Sequence, residues 1–233
     1  MNLLEVNSID TYIGQSHILE GVSLAVPRGS ITALLGRNGA GKTTTLRSII
    51  GLLAPRNGKI LFDGAEIDGK PAYVVAAKGI GYVPENRAIF KALTVEENLI
   101  IAERKKGDLA RHTDLIFDLF PDLRTFYKRM GGNLSGGQQQ MLAIARALVP
   151  DNSLLLIDEP SEGLAPIIVE GIVNALRKLA QNVTVLLVEQ NFQMAADLAD
   201  RYAILDDGKV AASGLMPDLV NDRATISKYL GVN

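Results

Sequence analysis

The sequence predicts an α/β domain: a mostly parallel sheet core, preceded by antiparallel strands and interrupted by an inserted helical subdomain. Three observations predict it. Short, almost wholly apolar runs, SITALL, SLLLI and VTVLLV, read as strands buried on both faces. Helix-like stretches separate them, the alternation expected of a parallel sheet. Between about residues 86 and 150 the strands vanish and apolar residues recur at helical spacing instead.

Taken in order, LLEVNSI and ILEGVSLAV are strands, closed by a Pro27-Arg28-Gly29 turn. SITALL leads into a glycine-rich loop and a helix over TTTLRSIIGLL, and Asn57-Gly58 is a turn before the strand KILFDG. Residues 71–78 form a short helix and GIGYVP a buried strand. Thr94-Val95-Glu96-Glu97 is a capping box that opens the helical insert. After Pro150 come SLLLI, a helix from about Pro166 to Gln181, VTVLLV, a short helix and RYAIL. Asp207-Gly208 then carries the chemistry of a hairpin turn into KVAAS. Residues 1–233 thus read as one domain, with residues 86–150 as its helical insert and no internal repeat.

Composition excludes several functions. There are no cysteines, so disulfides, thiol catalysis and cysteine-based metal sites are absent, and His17 and His112 are too few for a histidine-rich metal site. A formal charge of −2 gives no electrostatic sign of a nucleic-acid partner. MNLLEVNSID lacks the basic start and apolar core of a signal peptide, and no apolar run approaches the roughly 18 residues of a membrane span. A cytosolic location is expected.

The chemistry begins at Gly36-Arg37-Asn38-Gly39-Ala40-Gly41-Lys42-Thr43, which fits G-x-x-x-x-G-K-[ST] between a strand and a helix. The glycines let successive N–H groups converge on phosphate oxygens, and the following helix, through Thr44, adds its positive end. Lys42 reaches the β- and γ-phosphates, and Thr43 offers a hydroxyl to Mg²⁺. The bland alternative is a glycine-rich turn with an unrelated lysine. In LLLIDEP, Asp158 and Glu159 follow a buried strand, where two acids are costly to desolvate unless a cation or a reaction uses them. Asp158 suits Mg²⁺, and Glu159 suits a base that polarises water for in-line attack on the γ-phosphate. Solvated acids at a strand end are the alternative. A P-loop nucleoside-triphosphatase (RecA-like) core is therefore the expected fold.

A second anion site is written into Leu134-Ser135-Gly136-Gly137-Gln138, ahead of the amphipathic helix QQMLAIARALV. Ser135 and Gln138 make a capping box. Two glycines in its first turn cost about 1 kcal/mol each relative to Ala, and bare backbone N–H groups approaching a ligand explain them. One chain then holds two phosphate-binding helix starts.

GRNGAGKTT, LSGGQ and LLLIDEP, in this order and spacing, resemble the nucleotide-binding subunit of an ATP-binding cassette (ABC) transporter, across nearly the whole chain. The resemblance implies ATP with Mg²⁺ and a head-to-tail pair of subunits. Ser135, Gly136, Gly137 and Gln138 of each subunit would face the ATP on the other's phosphate loop. It implies that Tyr12 stacks on adenine, a half-buried strand tyrosine being the alternative. It places Glu85, in GYVPEN, where the family has a Mg²⁺- and water-contacting glutamine, and Ala165, in SEGLA, where the family has an aspartate. It places Gln190, in VEQN, where the family has a histidine touching the γ-phosphate. An amide donates to phosphate oxygen but has no titratable proton.

Glu85, SEGLAP and VEQN together resemble the LivF-type subunits of branched-chain amino-acid importers, while YIGQSHIL and LSGGQQQ are also similar to urea-importer subunits. That resemblance implies a second, paralogous ATP-binding subunit, with a homodimer possible in isolation. It also implies transmembrane permease subunits, an extracytoplasmic solute-binding protein and a peripheral position on the inner face of the cell membrane. The coupling surface is expected near residues 85–100. About 20 residues follow KVAASG, so no regulatory C-terminal domain is expected. Competing classes are a non-transport ABC ATPase, a small-molecule kinase or GTPase, and a weakly active nucleotide-binding module.

Overall fold

The structure is a computed structural model and describes residues 1–231. Its strands form two sheets. β1 (Asn2–Ile13), β2 (Ser16–Pro27), β4 (Asn57–Phe62) and β5 (Ala65–Glu66) make an antiparallel sheet of order β2-β1-β4-β5. β3 (Ile31–Leu35), β6 (Ile80–Val83), β7 (Leu154–Asp158), β8 (Thr184–Glu189), β9 (Arg201–Asp206) and β10 (Lys209–Leu215) make the larger sheet, order β10-β9-β3-β8-β7-β6. All its pairings are parallel except the β9–β10 hairpin.

The apolar runs of the central strands divide between two cores because side chains alternate across a sheet. Ala33, Leu35, Leu155, Ile157, Val185 and Leu187 face one core, while Leu34, Leu154, Leu156, Leu186 and Val188 face the other. The first core is covered by α6 (Gly136–Leu148), α7 (Pro166–Leu179) and α8 (Phe192–Leu198). The second lies under the antiparallel sheet, α1 (Lys42–Ile49) and α2 (Ala72–Ala77). Each fully buried Leu, Ile or Val there contributes about 1.5–3 kcal/mol, so both faces of β3, β7 and β8 are held fast. These strands carry the site at their ends.

Residues 95–148 carry α3 (Val95–Ile100), α4 (Asp108–Leu119), α5 (Pro121–Thr125) and α6. Thr94 accepts from the Glu97 N–H and donates its own N–H to the Glu97 carboxylate, so the capping box forms. Asn98, fully buried, accepts from the Phe90 N–H and donates to the carbonyls of Phe90, Leu93 and Thr94, which fixes the segment entering α3. The last helices are α9 (Met216–Asn221) and α10 (Arg223–Leu230). No helix among the described residues is long and apolar enough to cross a membrane.

Two local expectations change. Asn57-Gly58 is no turn but the start of β4, where Gly58 at φ 87° lets the backbone pass Ser8, itself at φ 48°. A Cβ on Gly58 would meet the Ser8 carbonyl oxygen at 2.4 Å. The helix over TTTLRSIIGLL stops at Ile49, because Gly51 turns left-handed and the N–H groups of Leu52 and Leu53 return to the Arg47 carbonyl. The two-residue β5 carries too little apolar pattern to be seen in the sequence.

Candidate active site

β3, β8 and β7 are neighbours and parallel, so their carboxyl ends open on one edge of the sheet. Beyond β3 the loop 36–41 curls back on itself. Gly36 has φ 149°, and a Cβ there would lie 2.2 Å from the Leu205 carbonyl oxygen. No other residue fits.

α1 then starts at Lys42, and its first two residues meet the two acids that end β7. Lys42 Nζ lies 3.0 Å from Glu159 Oε1, with side-chain exposures of 4% and 12%. The same ammonium donates to the carbonyls of Gly36 (2.9 Å) and Arg37 (3.1 Å). Thr43 Oγ1 donates to Asp158 Oδ1 at 3.1 Å, and the Tyr82 hydroxyl reaches Oδ2 at 3.4 Å. Asp158 is wholly buried, and burial pushes its carboxyl up to about 6 from an ordinary 3.8. Burial, with the Asp158 charge second, also raises the Tyr82 phenol.

Glu159 sits at φ 42°, a conformation costing about 1–3 kcal/mol outside glycine. Its N–H donates to the Val188 carbonyl at 2.9 Å, which ties the bend to the end of β8. The strain bends the chain away from the strand immediately after Asp158, leaving the two acids to meet different partners.

A cavity of about 430 Å³ lies over the loop, bordered by Asn38, Gly39, Gly41, Lys42, Thr43 and Thr44, by Glu85, Glu159 and Glu162, and by Ile13 and Ile18. Ala40 is buried behind it, and Arg37 points away, donating to the Lys228 carbonyl of α10. The donor set suits Mg²⁺: Asp158 is a buried carboxylate that, among the described residues, is bonded by two hydroxyls, and Thr43 supplies a second hard oxygen beside it. Among the described residues no cluster of three or more acids or histidines could form a metal cage. A small cation completed by phosphate oxygens and water is the case that needs none.

Glu85 borders the same cavity, held above the ordinary carboxylate range by burial and then by neighbouring Glu162. Gln190 is exposed at the end of β8. It is held by Glu189, which no reading of motifs singled out. This buried carboxylate accepts the Ser161 N–H (3.1 Å) and hydroxyl (3.0 Å) and the N–H groups of Gln190 and Asn191 (both 3.1 Å). Glu189 thus ties the loop after β7 to the loop after β8. An acid ending an all-apolar strand was the available signal.

The Ser135–Gln138 turn lies away from this cavity. Its capping box forms, with Ser135 N–H donating to Gln138 Oε1 and Gln138 N–H to Ser135 Oγ. Ser135 and Gly136 are exposed, while Gly137 is buried for a packing reason: a Cβ there would meet Ile168 of α7 at 2.6 Å. Gly136 instead faces the Arg87 guanidinium, whose Nε donates to the buried Gln140 of α6. Sequence reasoning missed this strut because nothing local marks it.

Tyr12 lies elsewhere on the β1–β2 hairpin. It does not border the cavity; its ring stacks on His17 and lies under the guanidinium of Arg56. Strand alternation turns it to the face opposite the loop.

A glycine loop between a parallel strand and a helix, with its Lys and Thr set against an Asp-Glu pair on a nearby parallel strand, defines a P-loop nucleoside-triphosphatase. Residues 19–162 match the ABC transporter family. BraG of Pseudomonas aeruginosa, a high-affinity branched-chain amino acid transport ATP-binding protein, is 41% identical over 232 residues, covering 98% of this chain and 100% of that one. LivF of Archaeoglobus fulgidus, a probable branched-chain amino acid transport ATP-binding protein, is 42% identical over 220 residues, 93% of each chain. A solved nucleotide-free ATP-binding cassette from an ABC transporter matches with a TM-score of 0.87, at 25% identity over 100% of both chains. The chain belongs to the ABC transporter family and is an ATPase cassette of it.

Proposed function

We propose that this cassette powers a branched-chain amino-acid importer, binding ATP on its own loop and completing the site with a second ATP-binding subunit. The observation that carries the mechanism is the double pairing of Lys42 with Glu159 and Thr43 with Asp158. The loop N–H groups and Lys42 take the β- and γ-phosphates, and Lys42 exchanges the Glu159 carboxylate for phosphate oxygen as it does so. Thr43 and Asp158 would hold Mg²⁺, with Glu85 on the same cavity border, and the ion would supply charge neutralisation at the phosphates. Glu159, released, accepts the proton of a water placed in line with the γ-phosphate. Gln190 donates its amide to a γ-phosphate oxygen. Ser135, Gly136, Gly137 and Gln138 serve the partner's ATP, in keeping with their position outside this chain's cavity.

The amino-acid reading is supported by the names of the two relatives. The second subunit is a paralogous chain, and permease subunits dock along the groove between the sheet core and the helical insert. That groove, about 460 Å³, is lined by Leu52, Tyr73, Pro84, Arg87 and Arg146, with Tyr73 77% exposed. The complex holds the cassette on the inner face of the membrane, and an extracytoplasmic binding protein delivers solute.

The test is to purify the whole complex and measure ATP hydrolysis with its binding protein, leucine or urea. Stimulation by leucine and a low rate for the isolated chain are expected. Stimulation by urea alone would assign the related urea importer, and an isolated chain as fast as the complex would overturn the transport role.

A further inference from the structure

A separate cavity of about 340 Å³ lies at the amino ends of β3 and β9, whereas the phosphate loop lies beyond the carboxyl end of β3. It opens between the last residues of β2 and the sheet edge formed by β3, β9 and β10.

Strand alternation fixes which side chains enter it. Leu34 and Ala203 face the core under the antiparallel sheet, so Thr32 and Arg201, two residues earlier on each strand, face the same way. Thr32 and Arg201 are also neighbours in the β3–β9 ladder. Ser213 stands opposite Ala203 in the β9–β10 hairpin, which puts its hydroxyl on that face too. Polar side chains thus converge at a place where these strands otherwise turn Leu and Ala inward.

Thr32 and Arg201 lack partners there. Thr32 is 2% exposed, and its Oγ1 makes no hydrogen bond among the described residues. Folded chains rarely carry a buried hydroxyl in that state, because its lost hydration goes uncompensated. Arg201 is half-buried and takes part in no ion pair among the described residues. The adjacent acid, Asp200, accepts the Ile31 N–H at 2.8 Å instead. Among the described residues no Asp or Glu borders the cavity, and Leu24, Ala25 and Pro27 of β2 make an apolar wall facing the polar groups.

We propose that this cavity binds a small aliphatic monocarboxylate, independently of the nucleotide. The planar guanidinium of Arg201 matches the two carboxylate oxygens as a fork. The Thr32 and Ser213 hydroxyls donate to the same oxygens, and the β2 wall covers the aliphatic body. One cation with no acid beside it matches a single negative charge. A phosphate dianion would leave charge unmatched and the apolar wall uncovered.

The experiment titrates the full chain by calorimetry with 3-methylbutanoate, and with 3-methylbutanamide as its uncharged isostere, each with and without Mg·ATP. For a probe of about seven heavy atoms, saturable binding with Kd on the order of 1 mM is expected. Nucleotide should leave it unchanged, and the amide should bind at least about tenfold more weakly. Arg201→Gln should weaken the acid at least about tenfold, and Thr32→Val about fivefold. Thr32→Val keeps the side-chain shape and removes the unpartnered hydroxyl, so its Tm should equal or exceed that of wild type. That melt separates loss of ligand from loss of fold. The proposal is overturned by no saturation up to about 20 mM, by equal affinity for the amide or in Arg201→Gln, or by displacement with Mg·ATP, which would put the probe on the phosphate loop. Inorganic phosphate binding more tightly than the acid, through Arg201, overturns the monocarboxylate assignment.

Discussion

Replacing Glu159 by Gln separates two roles that the structure gives one carboxylate. Glu159 lies 3.0 Å from Lys42 Nζ, and both side chains are nearly buried. At that distance the attraction is about 5 kcal/mol for an effective dielectric of about 20. Desolvation of the two groups offsets most of it, leaving on the order of 1–2 kcal/mol that an incoming phosphate must displace. A glutamine keeps the shape and a carbonyl oxygen for Lys42 but removes the charge. The variant should therefore bind ATP about 5- to 30-fold more tightly. Turnover should fall at least about a hundredfold, because an amide cannot take the proton from water. ATP-bound dimers should accumulate. Calorimetry reads the affinity, phosphate release the turnover, and size-exclusion chromatography with ATP the dimer. Unchanged affinity would refute the competition between Glu159 and phosphate for Lys42, and wild-type turnover would refute Glu159 as the base.

Gln190→His, measured in the assembled complex, should alter the hydrolysis rate or make it pH-dependent between about pH 6 and 7, with ATP affinity unchanged; no change in either leaves Gln190 a loop residue. Ala165→Asp should stabilise the chain by about 1 kcal/mol, a rise of about 2–4 °C in Tm. The reason is that Ala165 is the N-cap of α7 at φ −67°, ψ 147° with no side chain to cap it; an unchanged melt would refute it. Glu189→Gln should cost about 2 kcal/mol, since one amide cannot accept all four N–H and O–H donors. Burial raises the Glu189 carboxyl above its ordinary 4.5, so its protonated form adds stability below about that pH, which is lost as pH rises through the raised value. Denaturant melts of the wild type across that window should show its stability falling with rising pH, and a flat profile would show that Glu189 keeps an ordinary pKa.

The parts of the site legible in the sequence are those whose geometry is local. The glycine loop, the Asp158-Glu159 pair and the boxes Thr94–Glu97 and Ser135–Gln138 are each set by spacing within a few residues, and backbone sterics act over that range. Gly137 shows the limit. A ligand-facing glycine and one kept small by Ile168 look the same in sequence, and only the packing of α7 separates them.

The sequence by itself determined the fold class and the chemistry on offer: apolar runs too short for anything but buried strands, a phosphate loop, two acids and a second capped helix. Tertiary structure decided which groups meet. Thr43 and Asp158 are 115 residues apart and touch only because β3, β8 and β7 lie side by side in parallel. Glu189 gained its four donors from two loops that the same sheet edge brings together. The alternation of β1 turns the Tyr12 ring to His17 and Arg56 and leaves Ile13 at the cavity. A strand residue's face depends on bulges and partners far away in the chain, and the hydrophobic pattern of one strand does not contain them.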